Sequence, residues 1–123
     1  MLEAYSIDVD VVAGAVVPFQ NVSLQKGCTA ELSGVGTIKL NKCGVYMVEC
    51  NASASASTTL QLYKDGVAVP QAQSTGVNPA FTTLVQVNKN NSCCPCAEGV
   101  SLQVINSVEA TLSDANICIT KII

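Results

Sequence analysis

Between Gly34 and Val69 the chain reads GVGTIKLNKCGVYMVECNASASASTTLQLYKDGVAV, and this stretch restricts the fold more than any other. From Val45 to about Thr58 every second residue falls on one face: Tyr46, Val48, Cys50, Ala52, Ala54 and Ala56, with Met47, Glu49, Asn51, Ser53 and Ser55 opposite. A period of two is the signature of a half-buried strand. The Ala-Ser alternation keeps the phase of Tyr46 to Cys50, so it reads as a strand of small side chains and not as a flexible linker. Thr59 to Lys64 and Val67 to Gln73 then flank Asp65-Gly66, the pair that best supports a two-residue hairpin turn, with Leu60 and Leu62 facing inward.

The remainder continues in the same mode. Val9 to Val12 and Ala15 to Leu24 form a first extended region interrupted by Gly14 and Pro18, the latter marking an edge or a bulge. Cys28 to Leu32 and Thr37 to Leu40 are short strands, and Asn41 to Gly44 is a turn. Gln71 to Pro79 reads as a polar loop, Ala80 to Asn88 as a strand and Lys89 to Gly99 as a cysteine-bearing loop. Val100 to Ile105 and Asn116 to Ile122 are the closing strands. Eight to ten short strands with regularly spaced turns predict an all-β, compact jelly-roll sandwich. Residues 1–123 form a single domain, of which residues 1–12 are an extension or a first strand.

Composition removes several functions. There is no histidine, so the commonest general base and zinc ligand is missing, and non-enzymatic roles are favoured. There is also no arginine, and six lysines against nine acids give a net charge of -3, which suits neither phosphate recognition nor nucleic acid. No apolar run approaches the ~18 residues that span a membrane. The acidic N-terminus is not that of a secretory signal, which predicts synthesis in a cytoplasm. Only 12% of residues are charged, where about 25% is typical. So uncharged a surface predicts burial against other chains.

Seven cysteines are rich for 123 residues. Cys93, Cys94 and Cys96 include a C-x-x-C pair with the spacing to grip one face of a tetrahedral zinc. Further ligands would come from Cys28, Cys43, Cys50, Cys118 or a neighbouring subunit. Reduced loop thiols and disulfides are the competing readings, and a redox-active C-x-x-C lacks its usual helix. No cofactor is expected. Asp8 and Asp10 flank Val9 on one predicted strand face, as a cation pair or a solvated edge. Tyr5, Tyr63 and Phe81 are core or contact residues, or a ligand platform. Asn21-Val-Ser23 and Asn51-Ala-Ser53 match glycosylation acceptors, which a chain without a secretory signal does not use.

The order of elements resembles a known family. Gly44 and Tyr46 open a long strand, and Leu60, Leu62, Asp65 and Gly66 form a Leu-x-Leu-x-x-Asp-Gly hairpin. A Thr-Leu-Val-x-Val strand (Thr83 to Val87), a Val-x-Leu-x-Val strand (Val100 to Val104) and a terminal Ile-x-Ile (Ile117, Ile119) follow. From Ala15 to Ile123 this resembles the jelly roll of the tumour necrosis factor and complement globular-head superfamily. Bacterial and phage members are nearest in pattern: head fibre proteins, and the tips of collagen-like spore-surface proteins. The resemblance implies a homotrimer, and core or trimer-contact roles for Tyr46, Val48, Cys50, Ala52, Ala54, Leu60, Leu62, Leu84, Leu102, Ile117 and Ile119. It implies a structural or adhesive virion module with capsid or other virion proteins, or a host glycan or protein, as partners. The alternative is the tip of a spore or cell-surface protein. The Gly-Asp opening the penultimate strand in animal members is here Glu98-Gly99, so no calcium site carries over. The absence of a Gly-X-Y tract favours the virion over the spore.

Overall fold

The computed structural model describes residues 1–27, 29–87 and 100–123. Ten strands run in chain order: β1 (Leu2–Val11), β2 (Asn21–Gln25), β3 (Ala30–Leu32), β4 (Ile38–Leu40), β5 (Gly44–Ala54), β6 (Thr58–Lys64), β7 (Val67–Gly76), β8 (Ala80–Val87), β9 (Val100–Asn106) and β10 (Ala110–Lys121). They form two five-stranded sheets, β2-β1-β10-β5-β8 (sheet A) and β3-β4-β9-β6-β7 (sheet B), with every pairing antiparallel. After β4 the chain changes sheet at every connection except the β6–β7 hairpin, which makes the sandwich a jelly roll.

The core is the seam between the inward rows. Tyr46, Val48, Cys50 and Ala52 of β5 meet Leu2, Ala4, Phe81, Val85, Ile117 and Ile119 within sheet A. Opposite them lie Ile38, Leu40, Leu60, Leu62, Leu102 and Val104 of sheet B. Each fully buried large aliphatic side chain contributes about 1.5–3 kcal/mol. The connection from β1 to β2 fills one open flank. Its residues 14–17 hydrogen-bond to Val104 and Asn106 at the edge of β9, and Val17 and Phe19 are wholly buried. Gly36 lets this segment pass, because a side chain there would clash with the Val17 carbonyl.

The Asp65-Gly66 turn has positive φ at both residues, +50° and +81°, as a two-residue hairpin of matching twist requires. Other expectations shift. The strand expected over Val45 to Thr58 ends at Ala54: Ser55 still donates its N–H to the Thr111 carbonyl of β10, but accepts the Thr111 N–H through its hydroxyl, and the chain then crosses to sheet B. Ala56 lies in that turn, and Ala54 is half-buried against the core. Residues 71–76, expected as loop, belong to β7, whose pairing with β6 is interrupted between Gln61 and Tyr63. Pro70 sits there, on an edge strand at an irregularity, where its missing N–H is tolerated. The Gln61 side-chain amide fills the gap by donating to the Val69 and Ala72 carbonyls at 2.5 and 3.3 Å.

The first strand is longer than the periodicity indicates. Leu2, Ala4 and Ser6 face inward, Ile7 and Asp8 are both exposed, and Val11 resumes the inward row with the opposite parity. The slip occurs at Asp8, which has a φ of +51° that Asp tolerates better than most residues. Its neighbour β10 slips at the same level, between Leu112 and Asp114 opposite β5. Asp8 and Asp10 are both exposed on either side of Val9, which packs against the core, and Asp10 accepts the Thr111 hydroxyl at 2.6 Å.

Candidate functional site

Cross-strand register builds a surface on sheet A that no local motif announces. Glu3 of β1 stands opposite Cys118 of β10, Cys118 opposite Glu49 of β5, and Glu49 opposite Thr82 of β8. The next row is Tyr5, Asn116, Asn51 and Ala80. On the other side, Thr120, Met47 and Leu84 form a third. Glu3, Glu49, Asn51, Asn116, Ile117 and Cys118 line a shallow groove of about 310 Å³ at its centre. Asn116 donates to the Asn51 side-chain oxygen at 3.1 Å, and Ser23 donates to the Glu3 carboxylate at 3.1 Å.

The charge of this face is one-sided. Its outward positions on β1, β10, β5 and β8 hold the carboxylates of Glu3, Asp8, Asp10, Glu49 and Asp114 and no lysine. Among the described residues, no group of three or more Cys, Asp or Glu side chains is placed to hold a metal ion, and Glu3, Cys118 and Glu49 are no exception. The remaining side chains are small, amide or hydroxyl groups, with Ile7, Val45, Met47 and Leu84 as the apolar members.

The cysteines separate by environment. Cys50 is a free thiol packed among core residues, and burial pushes its pKa up to about 12, so it behaves as a small hydrophobe. Cys118 is free and half-buried in the groove, and Cys43 is disulfide-bonded. The candidate zinc residues Cys93, Cys94 and Cys96, the loop Lys89 to Gly99 and Cys28 lie outside the described residues. Tyr46 is completely buried, and its hydroxyl donates to the Lys42 carbonyl at 2.7 Å. Desolvation raises its pKa against the opposing effect of that hydrogen bond.

Of the expected core or contact residues, Tyr46, Val48, Cys50, Ala52, Leu60, Leu62, Leu102, Ile117 and Ile119 point into the seam. Leu84 does not. It is 57% exposed, because Phe81, Thr83, Val85 and Val87 take the inward row of β8 and leave Leu84 on the outer face. The aromatic platform is not assembled: Tyr5 is on the outer face of sheet A, Tyr63 is on sheet B, and Phe81 is buried in the seam.

The groove was invisible to sequence reasoning because its members come from three strands distant in the chain. The Glu-x-Asn (Glu49, Asn51) and Asn-x-Cys (Asn116, Cys118) spacings that contribute to it have no recognisable chemistry by themselves.

No family model matches the sequence, and no curated protein matches it. Solved structures do. The globular domain of zebrafish complement 1qA protein aligns with a TM-score of 0.77 at 12% identity, covering 99% of this chain and 96% of that one. PRD1 vertex protein P5 aligns at 0.69 with 14% identity over 99% and 96%. Rabbit GITRL aligns at 0.64 with 11% identity over 100% and 95%. At these identities the likeness establishes the fold, a jelly roll of the tumour necrosis factor and complement globular-head type.

Proposed function

We propose that this chain is a non-enzymatic structural or adhesive module that self-associates, as a homotrimer, and is displayed on a virion surface as a head fibre or decoration protein. The observation that carries the reading is the outer face of sheet A, which presents carboxylates without a lysine and has Leu84 exposed on its border strand, on a fold shared end to end with PRD1 vertex protein P5. A surface of hydroxyls, amides and isolated apolar groups is easily desolvated and fits a protein partner better than a reacting substrate. The mechanism is geometric: the sandwich is a rigid body, and repeated copies present the same loops in a fixed array. Avidity from such an array exceeds the affinity of any one loop. Among the described residues no helix is long and apolar enough to cross a membrane, and the reading requires none.

Mass spectrometry of density-purified particles tests the location. The proposal expects this chain in whole-number ratio to the major capsid protein. Its absence from particles, with recovery from spore coats or cell envelopes instead, contradicts the virion assignment and favours the surface-tip alternative.

A further inference from the structure

We infer that a second copy of this chain docks end to end on the first, the valine-bearing end of one sandwich meeting the lysine-bearing end of the next. The inference goes beyond the homotrimer and is tested apart from it. Charge is sorted along the strands. Lys89 lies outside the described residues, and the other five lysines sit at the end that holds Met1 and Ile123. Lys26 and Met1 join through their backbones, Lys39 stands opposite Ser101 near the start of β9, and Lys42 is in the turn before β5. Lys64 and Lys121 are the last residues of β6 and β10. No described lysine lies at the far end, where Asp10 and Glu109 are exposed and Asp8 and Asp114 lie just below. At the lysine end Asp65 already receives the Ser101 N–H, and Glu31 stands opposite Lys39. Glu3 and Glu49 belong to the groove on the face of sheet A.

The far end is also apolar and held in place. Val12, Val77 and Val108 are 58%, 51% and 46% exposed on its loops. The Asn106 side-chain amide bonds the carbonyls of Val11 and Val108, the Asn106 carbonyl takes the Gly14 N–H at 2.7 Å, and the Val77 carbonyl takes the Ala54 N–H at 2.7 Å. These loops are fixed before contact, so little ordering is left to oppose association. At the lysine end Val67, opposite Lys64, is 69% exposed. An acidic, apolar end and a basic end with its own apolar group are complementary to each other. Like ends are not, because they would bring Asp10 and Glu109, or the lysines, toward their own sign. A head-to-tail contact of this kind is heterologous and open, so it adds copies in a row along the strands. The acids around the valines disfavour an anionic lipid surface as the occupant.

The test is sedimentation velocity of the full chain from about 10 μM to about 1 mM, in about 20 mM and about 300 mM salt. At low salt the sedimentation coefficient is expected to rise with concentration above about 100 μM, and at high salt to stay at its dilute value. Glu109→Lys and Lys42→Glu should each raise the Kd of this step about tenfold or more, and the double variant should recover most of the loss. Val108→Ser should weaken the step at low salt. In high salt the charge variants should sediment as the wild type does, which separates this contact from the one that makes the trimer. Thermal unfolding checks that each variant still folds. A wild-type chain indifferent to salt and concentration, or a double variant no better than the worse single one, overturns the end contact and leaves the homotrimer standing. A chain of monomer mass at high salt that still adds copies at low salt supports the end contact and overturns the homotrimer. Binding to phosphatidylcholine vesicles that Val108→Ser abolishes would assign the valine end to a lipid surface and overturn the contact.

Discussion

Asp65 and Ser101 exchange two hydrogen bonds: the Asp65 N–H donates to the Ser101 carbonyl at 2.8 Å, and the Ser101 N–H donates to the Asp65 carboxylate at 2.9 Å. The residue that shapes the β6–β7 turn thereby also fastens that turn to β9, one residue after the strand begins. Asp65 carries two duties, a left-handed backbone and an acceptor for a neighbouring strand.

Separating those duties gives a first prediction. Asp65→Gly keeps the turn and removes the acceptor, and should lower stability by about 1–2 kcal/mol. Asp65→Asn retains both the backbone preference and a side-chain oxygen, and should cost less than half as much. Urea unfolding of the two variants checks the order, and equal losses would contradict the hydrogen-bond role.

Asn106 closes the far end of the sandwich. It is fully buried, its amide donates to the Val11 and Val108 carbonyls at 3.1 and 2.6 Å, and its side-chain oxygen accepts the Thr58 hydroxyl. Replacing it with Leu strands two carbonyls and a hydroxyl in an apolar setting, so Asn106→Leu should destabilise by about 2–4 kcal/mol. Thr58→Val removes the hydroxyl that donates to Asn106 and accepts the Val108 N–H at 3.2 Å, but it leaves both amide bonds of Asn106 in place and should cost less. Thermal melts rank the pair.

Cys50 makes stability depend on alkaline pH. The folded state holds its pKa near 12, above the ordinary value of 9.0, so above pH 9 the unfolded chain gives up a proton that the folded chain keeps. The unfolded state then binds fewer protons, and stability falls as pH rises. The contribution is flat below pH 9 and lost progressively between 9 and 12, about 1.4 kcal/mol of it by pH 10. Tyr46, raised in the same direction, adds a loss of the same sign. Cys50→Val, similar in volume, should flatten part of the slope when unfolding is followed from pH 8 to 10.5.

The two free thiols should differ in reactivity. Peptide mapping after brief iodoacetamide treatment should find Cys118 labelled in the native protein and Cys50 labelled only after denaturation, because one lies in an open groove and the other in the seam.

How much of this was legible beforehand follows from the range of the interactions. The Leu60 to Val67 hairpin is local, and its turn residues and alternation specify it outright. The strand from Gly44 was equally clear, but at its end the Ser55 hydroxyl takes the N–H of Thr111, a residue of β10 far along the chain. The beginning of β1 was obscured because a phase slip at Asp8 breaks the period of two. The full length of β7 was hidden by Pro70 and by an irregularity that only Gln61 makes habitable. Leu84, expected in the core or at a subunit contact, lies outside the core, because β8 has apolar residues on both faces, Phe81, Val85 and Val87 inside and Leu84 outside, and hydrophobicity alone cannot choose between the two. The groove depends on register across β1, β10 and β5, which no window of the sequence contains.

Light scattering of the full chain after size exclusion, at tens of micromolar and neutral pH, tests the central claim most directly. The account predicts a particle of three times the 12.7 kDa chain mass. A single species at the mass of one chain would contradict it.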